Sequence, residues 1–459
     1  MRLIFIFCFI LFNLSAIGQA NTFIRTYNLP GMNGGLALAV MEDGGFVGTG
    51  QHADAGTCRI YAYRIDECGN IIWFNLYNDG GGVAIDATYD NGVIIAADSR
   101  GLLKIDSLGI PEWEKNYSLL GGMTTVIQTT DSGYFAGGST GQLLKLDNLG
   151  EVVWSASVSG TMIHAVDEFP NGDLMYFSWD NNYFWVGRVS SLGILSWENQ
   201  YSSGGSNEAH NSWAGEALID KNLSRIIVAS NSDNNLGDVL VTSLDYNGNI
   251  ITSNAFGSSL EKEFVRSIDI TDDGGYVIGG GTFGYNTTST SFLTQAIGLI
   301  PENLSGRDIL LFKIDPSLNF EWSSVIGCGG TEKAIGVRAN NDNGYTVSAY
   351  TDGGFFGASD VDPLFIKTDS MGRVGCQQYS PILIQTSIAT SVTATNNLSI
   401  TSSTATTNTV SYNSIAPADY YMCLDCSTTP FFTISDTTIC VGDTTYFVNG
   451  SSGLTCFQD

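Results

Sequence analysis

The sequence predicts an all-β fold, a seven-bladed β-propeller of four-stranded blades over residues 21–379, followed by a Ser/Thr-rich linker and a β-sandwich segment. Three observations predict it: a tight turn that recurs before an apolar strand, a Lys-Ile-Asp element with glycine and tryptophan at fixed distances after it, and a stray strand at the start of the mature chain. Composition agrees, because 54 glycines against nine prolines, with 20 tyrosines and 24 phenylalanines, suit short strands and tight turns.

The first anchor is Asp43-Gly44-Gly45, Asp90-Asn91-Gly92, Asp131-Ser132-Gly133, Asp273-Gly274-Gly275 and Asp342-Asn343-Gly344, with Pro170-Asn171-Gly172 and Asn222-Leu223-Ser224 in the fourth and fifth places. Glycine and asparagine tolerate positive φ and aspartate bonds the neighbouring backbone, which is the chemistry of a hairpin reversal. The second anchor is Arg64-Ile65-Asp66, Lys104-Ile105-Asp106, Lys145-Leu146-Asp147, Arg188-Val189-Ser190, Ser243-Leu244-Asp245, Lys313-Ile314-Asp315 and Lys367-Thr368-Asp369. Three residues on stands Gly69, Gly109, Gly150, Gly193, Gly248, Leu318 or Gly372, and seven on stands Trp73, Trp113, Trp154, Trp197, Thr252, Trp322 or Cys376. Each unit therefore reads as four strands, a to d, with the tryptophan filling the wedge between blades.

Closure is legible too. Phe23-Ile24-Arg25-Thr26-Tyr27-Asn28 matches outer strands such as Trp73-Phe74-Asn75-Leu76-Tyr77-Asn78, whereas the last unit ends weakly at Val374-Gly375-Cys376. The N-terminal strand is expected to complete blade seven, removing an open sheet edge.

Residues 1–20 read as a secretory signal peptide, with Arg2, an apolar run from Leu3 to Leu14 and the small residues Gly18-Gln19-Ala20. That run is shorter than the roughly 20 residues a transmembrane helix needs, so no transmembrane segment is expected after cleavage. The protein is expected to be secreted, extracellular or at the cell surface. With 19 basic and 46 acidic residues the formal net charge is −27, which disfavours nucleic acid and anionic membranes as partners. Cys58 and Cys68 fall at opposite ends of one predicted strand, roughly 30 Å apart at about 3.3 Å per residue, and are not expected to pair with each other. Cys423-Leu-Asp-Cys426 has no second pair and no histidine near it, which argues against zinc.

The pattern Asp-Gly-Gly, Lys-Ile-Asp, glycine, tryptophan resembles the repeats of exported propellers from bacteria with type IX secretion. It is similar to the tryptophan-docking motif of quinoprotein propellers as well, but the Thr-Gly of that motif is absent and the glycine stands one residue nearer the aspartate, so a quinone cofactor is not implied. Residues 380–428 are rich in Ser, Thr, Asn and Ala and read as a linker or a small, poorly specified β segment. Phe431 to Phe447 resembles the opening strands of a PKD-type immunoglobulin-like domain, so residues 429–459 are expected to be an incomplete PKD-like β-sandwich segment. A sandwich needs about seven strands, and this stretch reads as two, so the sandwich segment is expected to be truncated.

No hydrolase, P-loop or zinc-protease motif is present, and the histidines are His52, His164 and His210. Catalytic residues and cofactors are therefore expected to be none, with calcium possible at Asp360 to Asp362 or Asn231 to Asp238. Aligning the inner strands on the hairpin turn puts Asp86, Asp269 and Arg338 at one level of the central channel, with His164 and Glu216 two residues earlier. Long connections fall at Gly204–Gly215, Phe283–Arg307 and Asp352–Asp362, expected on one rim of blades five to seven, and they carry Trp213, Phe283, Tyr285, Phe292, Phe355 and Phe356. Trp213, Phe283, Tyr285, Phe355 and Phe356, with Asp86, Asp269 and Arg338, are the candidate ligand contacts. The expected function is a non-enzymatic binding or adhesion module for an extracellular protein or glycan. The alternatives are a polysaccharide-active enzyme with carboxylates in the channel and a purely structural spacer.

Overall fold

The computed structural model describes residues 22–28, 32–54, 56–98, 101–118, 121–180, 183–202, 215–232, 237–258, 262–283, 307–327, 331–351, 361–374, 378–421, 432–434 and 447–449. The described chain forms seven antiparallel sheets arranged as blades, and in each the innermost strand is the first of its repeat: Met32–Val40, Gly82–Ala87, Met123–Gln128, Met162–Glu168, Glu216–Asp220, Lys262–Ile270 and Glu332–Ala339. The N-terminal strand Phe23–Asn28 pairs with Asp362–Thr368 and supplies strand d of blade seven, as the sequence implies.

The two anchors bind each other. Asp43, Asp90, Asp131, Asp273 and Asp342 each accept the N–H of the glycine two residues on. Their outer oxygens pair with the cation of strand c: Arg64 at 2.6 Å, Lys104 at 2.9 Å, Lys145 at 2.9 Å, Lys313 at 2.6 Å and Lys367 at 2.8 Å. Four of these cations are buried lysines, so a partly exposed carboxylate beside each is what makes burying its charge tolerable. The aspartate that ends Lys-Ile-Asp works locally, as when Asp106 Oδ1 accepts the N–H groups of Leu108 and Ile110 and fixes the c–d turn.

Trp73, Trp113, Trp154, Trp197 and Trp322 each pack on the turn glycine of the next blade. A Cβ on Gly150 would lie 2.9 Å from the Trp113 ring, and its φ of +76° excludes a side chain independently. Trp73, Trp154 and Trp197 also donate Nε1–H to a carbonyl of that neighbouring turn. Where blade five has Thr252 instead, the facing turn carries Leu318 at φ +63°, fully buried beside Val241 and Phe256. A leucine fits there because no indole occupies the wedge.

The segment that composition reads as a linker is a fifth strand for every blade, so the blades are five-stranded. After blade seven the chain reverses direction around the ring. Gln378–Tyr379 lies on blade six, Ile384–Ser387 on five, Ser391–Thr395 on four, Ser399–Thr401 on three, Ala405–Asn408 on two, Asn413–Ser414 on one, and Ala418–Tyr421 on the N-terminal strand of blade seven. This belt makes one full turn and covers the outer edge of each strand d. Apolar residues anchor it between blades: Leu383 beside Phe256, Leu398 beside Phe135, Val410 beside Tyr77 and Ile415 beside Phe74. Buried Glu198 ties it down, accepting from Ser159, Tyr176 and Thr395.

Phe432–Ile434 pairs with Phe447–Asn449, and the rest of the PKD-like stretch lies outside the described residues, as do the leader and Cys423 and Cys426. Cys58 is a free thiol and Cys68 is disulfide-bonded, so the two are not paired with each other and the partner of Cys68 lies outside the described residues.

Candidate functional site

Six of the seven inner strands carry a β-bulge at a common level, and the extra residues of five of them, Val83, Thr124, His164, Arg266 and Ile335, line the central cavity. A bulge turns a side chain that would lie between blades toward the axis. The cavity measures about 260 Å³ and is lined as well by Asp86, Met162, Glu216, Ser267, Arg338 and Tyr350.

Nearer the hairpin turns lies a second level, made of Ala39, Asp86, Ile127, Asp167, Leu218, Asp269 and Arg338, each opposite an early residue of its strand b. The structure thus brings Asp86, Asp269 and Arg338 together as expected, and it adds Asp167. The sequence alignment missed Asp167 because the turn of blade four is closed from Phe169 to Asp173 and places Asn171, not Pro170, in the aspartate position. The same one-residue shift puts His164 three residues before this level; Glu216 stands two before it.

The three aspartates repeat one contact. Asp86 accepts the Gln128 N–H at 2.8 Å, Asp167 that of Ile219 at 2.7 Å and Asp269 that of Ala339 at 2.9 Å, each on the following blade. Glu216 does likewise two residues earlier, accepting from the Ile268 N–H and Ser267 Oγ. Arg338 donates to Ser267 Oγ and Val337 O, and its Nη2 lies 3.6 Å from Glu216 Oε1. These carboxylates are blade-to-blade staples as well as channel groups.

Burial raises all three aspartates, Asp86 to about 6, with the backbone hydrogen bonds and Arg338 or Lys221 opposing it. His164 is pushed down to about 4 by burial and by the Arg266 charge, so it is a neutral imidazole near pH 7. Arg266 falls to about 10, chiefly through burial, with Tyr350 opposing and Arg307 adding. Lys333 Nζ stands 5.2 Å from the Tyr350 ring centre. The cavity lining therefore mixes both signs, with Arg266 at the bulge level, Glu216 one residue nearer the hairpins, and Asp86 and Arg338 at the second level.

Of the proposed rim contacts, Trp213, Tyr285, Phe292, Phe355 and Phe356 lie outside the described residues. Phe283 ends its strand opposite Lys262 and Arg307, on the side away from the hairpins. Asp238 and Asp362, from the two stretches read as possible calcium sites, are buried at the starts of their strands c. Among the described residues no group of three or more His, Cys, Asp or Glu is gathered as a metal site, and no helix is long and apolar enough to cross a membrane.

No protein-family model matches this chain, and no curated protein does. Among solved structures, the chain is similar to the WD40 propeller domain of Doa1, at 11% identity and a TM-score of 0.47, over 76% of this chain and 96% of that one. It is similar to Sqt1 from Chaetomium thermophilum, at 10% identity and 0.45, over 76% and 99%. A Bacteroides caccae protein of unknown function matches at 14% and 0.37, over 60% and 92%. The seven-bladed propeller is set by the chain's own strand order, and these likenesses carry no function to it.

Proposed function

We propose that this protein is an exported, non-enzymatic binding module that recognises an extracellular protein or glycan with the loop side of its propeller. The observation that carries this reading is the state of the channel carboxylates: Asp86, Asp167, Asp269 and Glu216 each hold a main-chain N–H of the next blade. Carboxylates committed to the scaffold are poorly placed to serve as an acid and base pair, while propellers as a class serve as protein-binding scaffolds. The topology supports presentation of the loop side. Phe23 pairs with Lys367 at the hairpin side, and Arg25 pairs with Tyr421, so the chain enters and the belt ends on that side. A tether at either end would leave the loops facing outward.

The leader and the disulfide at Cys68 support an oxidising, extracellular destination. The repeat pattern supports export of the type IX kind, and the pairing of Phe432–Ile434 with Phe447–Asn449 fits the opening of a PKD-type domain. One observation favours the polysaccharide-active alternative, since Asp86, at about 6, is a carboxyl with a general acid's range. A glycan array with a parallel reducing-sugar assay separates the readings: binding without turnover supports the module, and turnover lost in Asp86→Asn overturns it. Deleting residues 287–302 should abolish surface binding without lowering thermal stability; unchanged binding would count against the loop rim.

A further inference from the structure

We propose that the loop-side half of the channel is a binding site for an acidic sugar residue of the uronic-acid class, with Arg266 holding its carboxylate. This rests on the reading of the protein as a binding module and names a ligand chemistry for it.

The site is built, not incidental. Arg266 is the extra residue of a bulge, the device that turns its side chain into the cavity, and His164 and Thr124 reach the same level by the same device on blades four and three. In a chain with 19 basic residues against 46 acidic ones, Arg266 lies within electrostatic reach of Tyr350 and Arg307, and Lys333 Nζ stands 5.2 Å from the Tyr350 ring centre. The acidic level lies about three residues further along the strands, about 10 Å at 3.3 Å per residue. An anion held at Arg266 thus has the carboxylates of Glu216, Asp86, Asp167 and Asp269 on its hairpin side, which oppose deeper entry.

The remaining lining selects the body of the ligand. His164 as a neutral imidazole can donate and accept, Tyr350 offers a phenol and Thr124 an acceptor oxygen, while Met162 and Ile335 provide apolar surface for a sugar ring face. At about 260 Å³ the space is smaller than the roughly 300–1,000 Å³ of pockets for drug-sized ligands, which suits one sugar residue at a chain end. Metal or redox chemistry is not required.

The test uses the full chain and calorimetric titration with D-glucuronate and D-galacturonate, with D-glucose and acetate as controls for the ring and the charge alone. Uronates should bind and D-glucose should not. Arg266→Met should weaken uronate binding by about ten- to hundredfold, the range for a lost charge-assisted hydrogen bond, and Arg266→Lys should retain part of it. If Arg266→Met fails to fold, Met162→Trp, which fills the cavity from blade four, should block binding instead. Absence of uronate binding by the wild type, or unchanged binding in either folded variant, overturns the proposal. Acetate binding as tightly as uronate would overturn the sugar and leave a bare carboxylate, as from a protein side chain, as the ligand. Retained glycan-array or cell-surface binding in Arg266→Met would leave the binding-module reading standing while this site fails.

Discussion

Replacing Asp86 by asparagine isolates the cost of keeping a carboxylate inside the ring of blades. Asp86 Oδ2 accepts the Gln128 N–H of the next blade, and burial lifts its pKa from 3.8 to about 6. In the window between those values the native protein holds a proton that the unfolded chain has released, so this group's contribution to stability falls as pH rises and is fully lost above about 6. The shift is about 2 units, and at about 1.4 kcal/mol per unit it corresponds to at most about 3 kcal/mol. The side chain lines the channel and meets its water, so about 2 kcal/mol is the working figure. Asparagine keeps an oxygen for the Gln128 N–H and has no proton to lose. The stability of Asp86→Asn relative to wild type should therefore grow by about 2 kcal/mol from pH 4 to pH 7. Urea denaturation followed by tryptophan fluorescence at pH 4, 5, 6 and 7 measures it. A difference that stays flat, or shrinks with rising pH, would refute the reasoning, because the carboxylate would then not be strained by burial. Asp86→Ala should be less stable than Asp86→Asn throughout, since it strands a buried N–H.

Glu198→Ala should cost about 3 kcal/mol or more by stranding the donors of Ser159, Tyr176 and Thr395. Burial raises the Glu198 carboxyl, but those hydrogen bonds outweigh it and hold the pKa below 4.5, so its stabilisation is present above that value and disappears as pH falls; an acid-limb denaturation series checks both. Ending the chain at Val374 removes the belt, which begins with Gln378–Tyr379, and should lower the unfolding midpoint by roughly 5–10 °C and produce concentration-dependent association in sedimentation, because the outer strand edges are bared. An unchanged midpoint with a monodisperse monomer would mean that the belt merely decorates the blades. Leu318→Gly should be destabilising by about 2 kcal/mol through lost burial, and Thr252→Trp should be destabilising through overpacking. The double variant, which rebuilds the indole-on-glycine contact of the other blades, should recover at least about 1 kcal/mol relative to the sum in a denaturation cycle.

The propeller and its count of blades were legible because each repeat announces itself locally. Asp-x-Gly needs only its own backbone, and Lys-Ile-Asp needs only a hairpin some 14 to 40 residues away. The closure by Phe23–Asn28 was legible for the same reason, as that strand copies the spacing of its kin. The belt was not. Its strands are two to five residues long, no charged residue lies between Arg373 and Asp419, and a single apolar residue anchors a typical crossing, so no alternation of period two builds up. Its Ser and Thr residues look like a linker until seven outer strands stand beside them, in the reverse of the chain's order. Arg266 was hidden in a related way, because a bulge is a property of paired strands and reverses which residue faces the axis.

By itself, then, the sequence determined that seven four-stranded units would form and close on the N-terminal strand, since turn chemistry and tryptophan spacing act within a blade or between adjacent ones. Only the tertiary structure decided that a fifth strand girdles every blade, that the channel aspartates serve as staples, and that Arg266 and His164 point to the axis. Those outcomes depend on strand pairing across the ring and on bulge register, which are set by distant backbone groups and leave no local period in the chain.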